Sequence, residues 1–160
     1  MEFSLAALDE AHERVGKELE SSGATRLVRA LQMMRLQKAV LAVGMFSMFE
    51  AELQDSLECD DGFREANTRL EAAGENELKG RFVDLQLAIN VLKHGRGRSH
   101  DSLVSRAKQL PFRVQLPEEN FFHEGDVSEV STLIDVDNAF VRSCAAAIRE
   151  VTAALQTQRG

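Results

Sequence analysis

The chain predicts a mainly α fold: one domain over residues 1–160, a bundle of about five helices with a short β-hairpin or extended excursion before the last helix. Three observations carry this. Apolar residues recur at three- and four-residue steps along most of the length. Pro111 and Pro117, the only prolines, fall in one short stretch. Strict alternation of apolar and polar residues occurs only there and just before the last helix.

Taken in order, Leu5 to about Glu20 has helix formers and mixed charge, and Ser21-Ser22-Gly23 ends it. Thr25 can cap the next helix, which runs to about Glu58. Phe46, Phe49, Leu53 and Leu57 share one of its faces, and Leu27, Leu31, Met34, Leu41, Met45 and Met48 keep the rhythm upstream. Met33, Met34, Met45 and Met48 are expected to pack between helices. Gly44 is expected to kink this helix or admit a close neighbour. Asp60 or Asp61 caps a short helix from Gly62 to Ala73, and Gly74 ends it. From Asn76 to His94 the pattern is cleanest: Leu78, Phe82, Leu85, Ile89 and Leu92 step by four and three. Val83 and Leu87 widen that stripe, so this helix is expected at the centre of the bundle. Ser99 to Leu110 reads as helical. Phe112, Val114 and Leu116 then alternate onto one side of an extended segment, and Val130, Thr132 and Ile134 are expected to pair with it. Asp137 caps the last helix, whose stripe is Phe140, Cys144, Ile148, Val151 and Leu155.

The formal net charge of −7 argues against a protein that coats a nucleic-acid duplex, which would be basic. Contact with nucleic acid must come through a local patch. The first residues, MEFSLAALDEAHERVG, lack the basic and apolar regions of a signal peptide, and no apolar run is long enough to span a bilayer. Cys59 and Cys144 are isolated, without metal-type spacing, so a reducing cytoplasm and no membrane are expected. The acidic corner Asp55, Glu58, Asp60 and Asp61 lacks calcium-loop spacing, and neither a metal nor a cofactor is expected.

The local patch is NVLKHGRGRSH, residues 90–100. Asn90 and His94 lie four apart and share a helix face that Val83 and Leu87 continue upstream, so the pair is expected to be partly shielded. An imidazole there can move protons near neutral pH, and the Asn90 amide can orient it or hold a phosphate oxygen. Arg96 and Arg98 follow on a glycine-rich loop, with forks suited to phosphate. Lys93 adds a point charge and His100 a second titratable ring. The expected catalytic set is therefore His94, Asn90 and Arg96, with Lys93, Arg98 and His100 on phosphate or RNA. Cations at a helix C-terminus and a capping Gly95 also have a purely structural explanation.

Two stretches resemble the HEPN group of small helical domains, named for nucleotide binding in higher eukaryotes and prokaryotes. Phe46-Ser-Met-Phe-Glu50-Ala-Glu-Leu resembles the Phe/Glu signature of several branches. Ile89-Asn90-Val-Leu-Lys-His94-Gly is similar to the group's Arg, polar residue, spacer and His arrangement. The resemblance implies metal-independent RNA cleavage by a homodimer whose two motifs face each other. The 2′-hydroxyl attacks the adjacent phosphorus and leaves a cyclic phosphate, with histidine moving protons. It also implies a toxin–antitoxin or phage-defence setting, with an antitoxin as a protein partner. The chain departs from the pattern at Ile89, which stands where the family has arginine. Losing such a donor costs about 3 kcal/mol in comparable anion sites. Arg96 or Arg98 is the candidate replacement, from the loop or from the second subunit.

A second reading is a non-catalytic module of the same fold that binds a protein partner or a nucleotide. A third is an immunity-like bundle whose acidic surface neutralises a basic partner. Glu50 is expected as a solvated or interhelical charge, or as a partner behind His94. Phe121-Phe122 is expected in the core or at a partner contact, and His12 and His123 at the surface.

Overall fold

The structure is a computed structural model that describes residues 25–118 and 132–157, with scattered helical positions between 6 and 17. Most of the expected first helix lies outside the described residues, as do His12, Phe121, Phe122, His123 and Val130 and the side chains of Thr25, Leu27 and Leu31. Among the described residues the chain forms five α-helices: α1 (Thr25–Leu57), α2 (Gly62–Ala72), α3 (Asn76–His94), α4 (Arg98–Val104) and α5 (Asn138–Thr157). A 3-10 turn, Ala107–Gln109, follows α4. The helical bundle expected from the periodicity is the observed fold.

Side-chain caps set two of the boundaries. Asp61 Oδ1 accepts the backbone N–H of Arg64 at 2.9 Å, satisfying a donor that the first turn of α2 leaves free. Asp137 Oδ1 does the same for Phe140 at 2.7 Å at the start of α5. Gly74 and Gly95, after α2 and α3, have φ of +78° and +75°, which glycine adopts without the strain a side chain would bring.

The core is built around phenylalanine. Phe46 and Phe49 of α1, Phe63 of α2 and Phe82 of α3 form a cluster with ring centroids 5.5–6.0 Å apart. Leu70, Leu103, Ile134, Val141, Cys144 and Val151 are fully enclosed around it. Central placement of α3 is confirmed: it packs against all four other helices. Its stripe Leu78, Phe82, Leu85 and Ile89 is buried, and Leu92 is half-buried. Helices α2 and α3 are antiparallel, since Asn67 meets Gln86 and Glu71 meets Lys79. α5 lies along α1. Asp135, just before α5, acts on Arg35, while Thr152 and Leu155 border the same cleft as Phe49 and Leu53.

Before the last helix the chain makes an extended excursion, without a hairpin or sheet among the described residues. Other expectations are corrected. One antiparallel bridge joins Val114 to Ile134, through Gln115 N–H to Leu133 O at 2.8 Å and Asp135 N–H to Arg113 O at 3.0 Å. Phe112 and Val114 point inward as expected, but Leu116 is 40% exposed and Gln115 is buried in its place. The alternation ends because the Gln115 backbone is held on both sides, its N–H by Leu133 and its carbonyl by His100. The helix expected over Ser99–Leu110 ends at Val104 and continues only as the 3-10 turn. Finally, Met34 is buried and Met45 half-buried, but Met33 and Met48 are exposed, because α1 is apolar on two sides and only one meets the bundle. α1 runs unbroken through Gly44, and nothing lies within 4 Å of a side chain built there.

Candidate functional site

The last turn of α3 and the loop to α4 carry the cluster singled out in the sequence. Lys93 and His94 occupy the last turn, where the helix dipole favours cations. The Gly95 N–H returns to Val91 O at 2.8 Å and closes the helix. Arg96 lies in the short connection, and Arg98 begins α4. Asn90, Lys93, His94, Arg96 and Arg98 are all exposed. Among the described residues, no hydrogen bond or ion pair holds the side chains of Lys93, His94, Arg96 or Arg98. Four cationic or titratable groups thus face solvent together, in a chain whose net charge is −7.

Asn90 and His94 were expected to be partly shielded, and the structure corrects this. The face they share is half-buried at Val83 and Leu87 and is exposed at Asn90 and His94. Asn90 borders a shallow groove of about 410 Å³ between α2 and α3, whose wall includes Asn67, Gln86, Lys79 and Arg64. Asn67 Nδ2 donates to Gln86 Oε1 at 3.2 Å. Lys79 is paired with Glu71 at 2.7 Å, and that contact holds the Glu71 carboxyl below its ordinary range. Sequence reading did not single out this groove. Its signal was present, since Lys79, Gln86 and Asn90 recur at steps of seven and four and make a polar stripe on α3.

His100 stands apart from the cluster. It is buried at 4% exposure, and its Nε2 lies 2.9 Å from the carbonyl oxygen of Gln115. A carbonyl only accepts, so Nε2 carries the hydrogen of that bond. The ring therefore ties α4 to the extended segment 112–116 and faces away from the solvent that a phosphate would approach through.

The remaining titratable groups are structural. Arg106 Nη1 lies 2.5 Å from Asp84 Oδ1. Burial pushes the Asp84 carboxyl above its ordinary value, with Arg106 opposing. Arg81 pairs with Glu150 at 2.6 Å and joins α3 to α5. Burial pushes the Cys144 thiol up to about 12. Glu50 is half-buried at the junction of α1 and α2, where its carbonyl abuts Gly62. In the acidic corner, Asp61 caps α2 and the Asp60 carbonyl accepts from Gln54 Nε2 at 2.8 Å. Among the described residues no group of three or more His, Cys, Asp or Glu could hold a metal ion. No described helix is long and apolar enough to cross a membrane.

Compared with protein-family models, curated proteins and solved structures, the chain matches none of them.

Proposed function

We propose that this chain is a HEPN-like protein that holds RNA phosphate at the exposed end of α3, as a homodimer working in the cytoplasm in RNA metabolism or defence. One observation carries the reading: Lys93, His94, Arg96 and Arg98 are all exposed, without side-chain partners among the described residues, in an acidic protein. Unpaired cations raise the local potential against the overall charge, and phosphate is the anion whose geometry suits two guanidinium forks. Asn90, one turn before His94, adds an amide that reaches the same anion or the imidazole.

The chemistry proposed there is metal-independent RNA cleavage. The 2′-oxygen forms a bond to the adjacent phosphorus as the phosphorus–5′-oxygen bond breaks, leaving a cyclic phosphate and a 5′-hydroxyl. His94 takes the 2′-hydroxyl proton or delivers one to the leaving oxygen. Arg96 stands in for the arginine that Ile89 replaces, and Lys93 and Arg98 hold neighbouring phosphates. An open site of this kind needs a second subunit to exclude water.

The exposure of Asn90 and His94 in the single subunit favours a second reading, a non-catalytic module that binds a nucleotide or a protein partner such as an antitoxin through the same patch. Incubation with RNA in EDTA separates the two. Cleavage to cyclic-phosphate ends by the wild type, lost in His94→Ala, is the expected result. Binding by both proteins with cleavage by neither assigns the patch to the module.

A further inference from the structure

Asn67 and Gln86 meet across the groove between α2 and α3, and each leaves one end of its amide unsatisfied. Asn67 Nδ2 donates to Gln86 Oε1 at 3.2 Å, while Asn67 Oδ1 and Gln86 Nε2 are enclosed without a hydrogen-bond partner. Most enclosed polar groups are paired, and one that is not costs stability. Apolar side chains of the same shape would join the two helices without that cost. The surroundings suit a neutral, flat ligand. Charges on the groove wall are paired within it, Lys79 with Glu71 at 2.7 Å and Arg64 with Asp61 at 3.9 Å. Phe63 lines the same wall, half-buried, its ring set edge-on against Phe46 and Phe82. The whole lining falls within residues 61–90, every one of which the structure describes. At about 410 Å³ the groove has room for a ring the size of a nucleobase.

We infer that this groove holds a nucleobase, whose edge donates to Asn67 Oδ1 and accepts from Gln86 Nε2. Every base presents a donor beside an acceptor, and carboxamide side chains are among the usual readers of such edges. The terminal torsions of Asn and Gln are soft, so both amides can turn from their enclosed positions toward a ligand. Asn90 borders the groove and stands one helical turn before His94. A nucleotide whose base lies between α2 and α3 therefore sets its phosphate toward the cations at the end of α3. This deepens the proposed function and rests on it for RNA as the source of the base, whereas the groove's own residues carry the base subsite. A free nucleoside offers the same edge, so its binding is measured separately.

Fluorescence anisotropy with short single-stranded RNAs, each of a single base, against an abasic sugar–phosphate strand of equal length and charge tests it. The wild type is expected to bind at least one of the base-bearing strands about tenfold tighter than the abasic one, the equivalent of two modest hydrogen bonds. Asn67→Leu combined with Gln86→Met keeps the shape of both side chains. It is expected to bind the strands alike, with a thermal midpoint unchanged or raised, since no enclosed amide is left unsatisfied. Gln86→Met alone is expected to reduce the preference about threefold. Arg96→Ala is expected to weaken base-bearing and abasic strands equally, with the preference intact. Nucleosides, measured by equilibrium dialysis, are expected to bind the wild type and not the double variant. Nucleoside binding with no gain from a strand overturns the phosphate patch and keeps the base subsite for a free nucleoside. Equal binding of base-bearing and abasic strands by the wild type, with no nucleoside bound, overturns the inference and keeps the patch. Binding of neither strand nor nucleoside overturns both. A double variant that retains the base preference also overturns the inference, and a lowered midpoint in it then assigns the two amides to holding α2 against α3.

Discussion

His100 Nε2 donates to the carbonyl oxygen of Gln115 across 2.9 Å, a buried side-chain bond between α4 and the extended segment. Replacing His100 with alanine strands that carbonyl away from water, and an unsatisfied buried acceptor costs about 1–3 kcal/mol. Urea denaturation of His100→Ala is expected to show this loss, with RNA affinity of the folded protein unchanged. A fall in affinity without a fall in stability would return His100 to the phosphate site.

Arg106 opposes the cost of burying Asp84, so its removal has a pH signature. Burial alone favours the protonated acid and raises the folded pKa above 3.8. The ionised form then costs stability above that pKa, and the cost vanishes below 3.8, where both states are protonated. Breaking an interior ion pair costs about 3–5 kcal/mol, and the partial exposure of this one reduces that to about 1–3 kcal/mol. Arg106→Ala is expected to show this deficit at pH 7 and to recover as the pH falls toward 4. Asp84→Asn added to Arg106→Ala is expected to remove the pH dependence. Thermal melts across this range check both.

Gly62 is required by contact. A side-chain carbon there would lie 2.7 Å from Leu53 Cβ and 2.8 Å from the Glu50 carbonyl. Both neighbours are fixed in α1, so Gly62→Ala is expected to destabilise by about 1–3 kcal/mol through overpacking. Gly44→Ala is the control in the same bundle and is expected to cost the subunit nothing.

The two thiols differ in environment. Cys144 is buried, its pKa pushed up to about 12, and Cys59 is half-buried after α1. Only the thiolate reacts. A thiol reagent at pH 8 is expected to modify Cys59 in the native protein and Cys144 only after unfolding.

Salt dependence measures the phosphate patch. Each phosphate neutralised by Lys or Arg contributes about 0.7 to the slope of log affinity against log salt for single strands. Lys93→Ala, Arg96→Ala and Arg98→Ala are each expected to lower the slope by about that amount for single-stranded RNA. A slope unchanged in all three would remove the patch from RNA binding.

Much of the scaffold was legible because its causes are local. Asp61 and Asp137 cap where a short acceptor precedes an apolar rhythm, and Gly95 ends α3 where a positive φ is needed. The stripe of Leu78, Phe82, Leu85 and Ile89 faces inward because one helix face must leave water. The candidate site was legible as a cluster of charge, but not as a surface. Asn90 and His94 follow Val83 and Leu87 in register, and where that register meets solvent depends on how closely the neighbouring helices pack there. His100 and Arg98 lie two residues apart with opposite exposure, a difference set by the segment 112–116 packing against α4.

Periodicity, capping residues and glycines determined by themselves that this chain is a helical bundle and where α1, α2 and α3 begin and end to within a residue. These follow from hydrogen bonds and burial within a few turns of one another. Tertiary structure alone decided which of two apolar faces of α1 the bundle covers, that Gln115 rather than Leu116 turns inward, and that Asp84 meets Arg106. Each of those depends on a partner distant in sequence. Free energy of burial is assigned by the neighbour that arrives, and the spacing of residues within a segment carries no record of it.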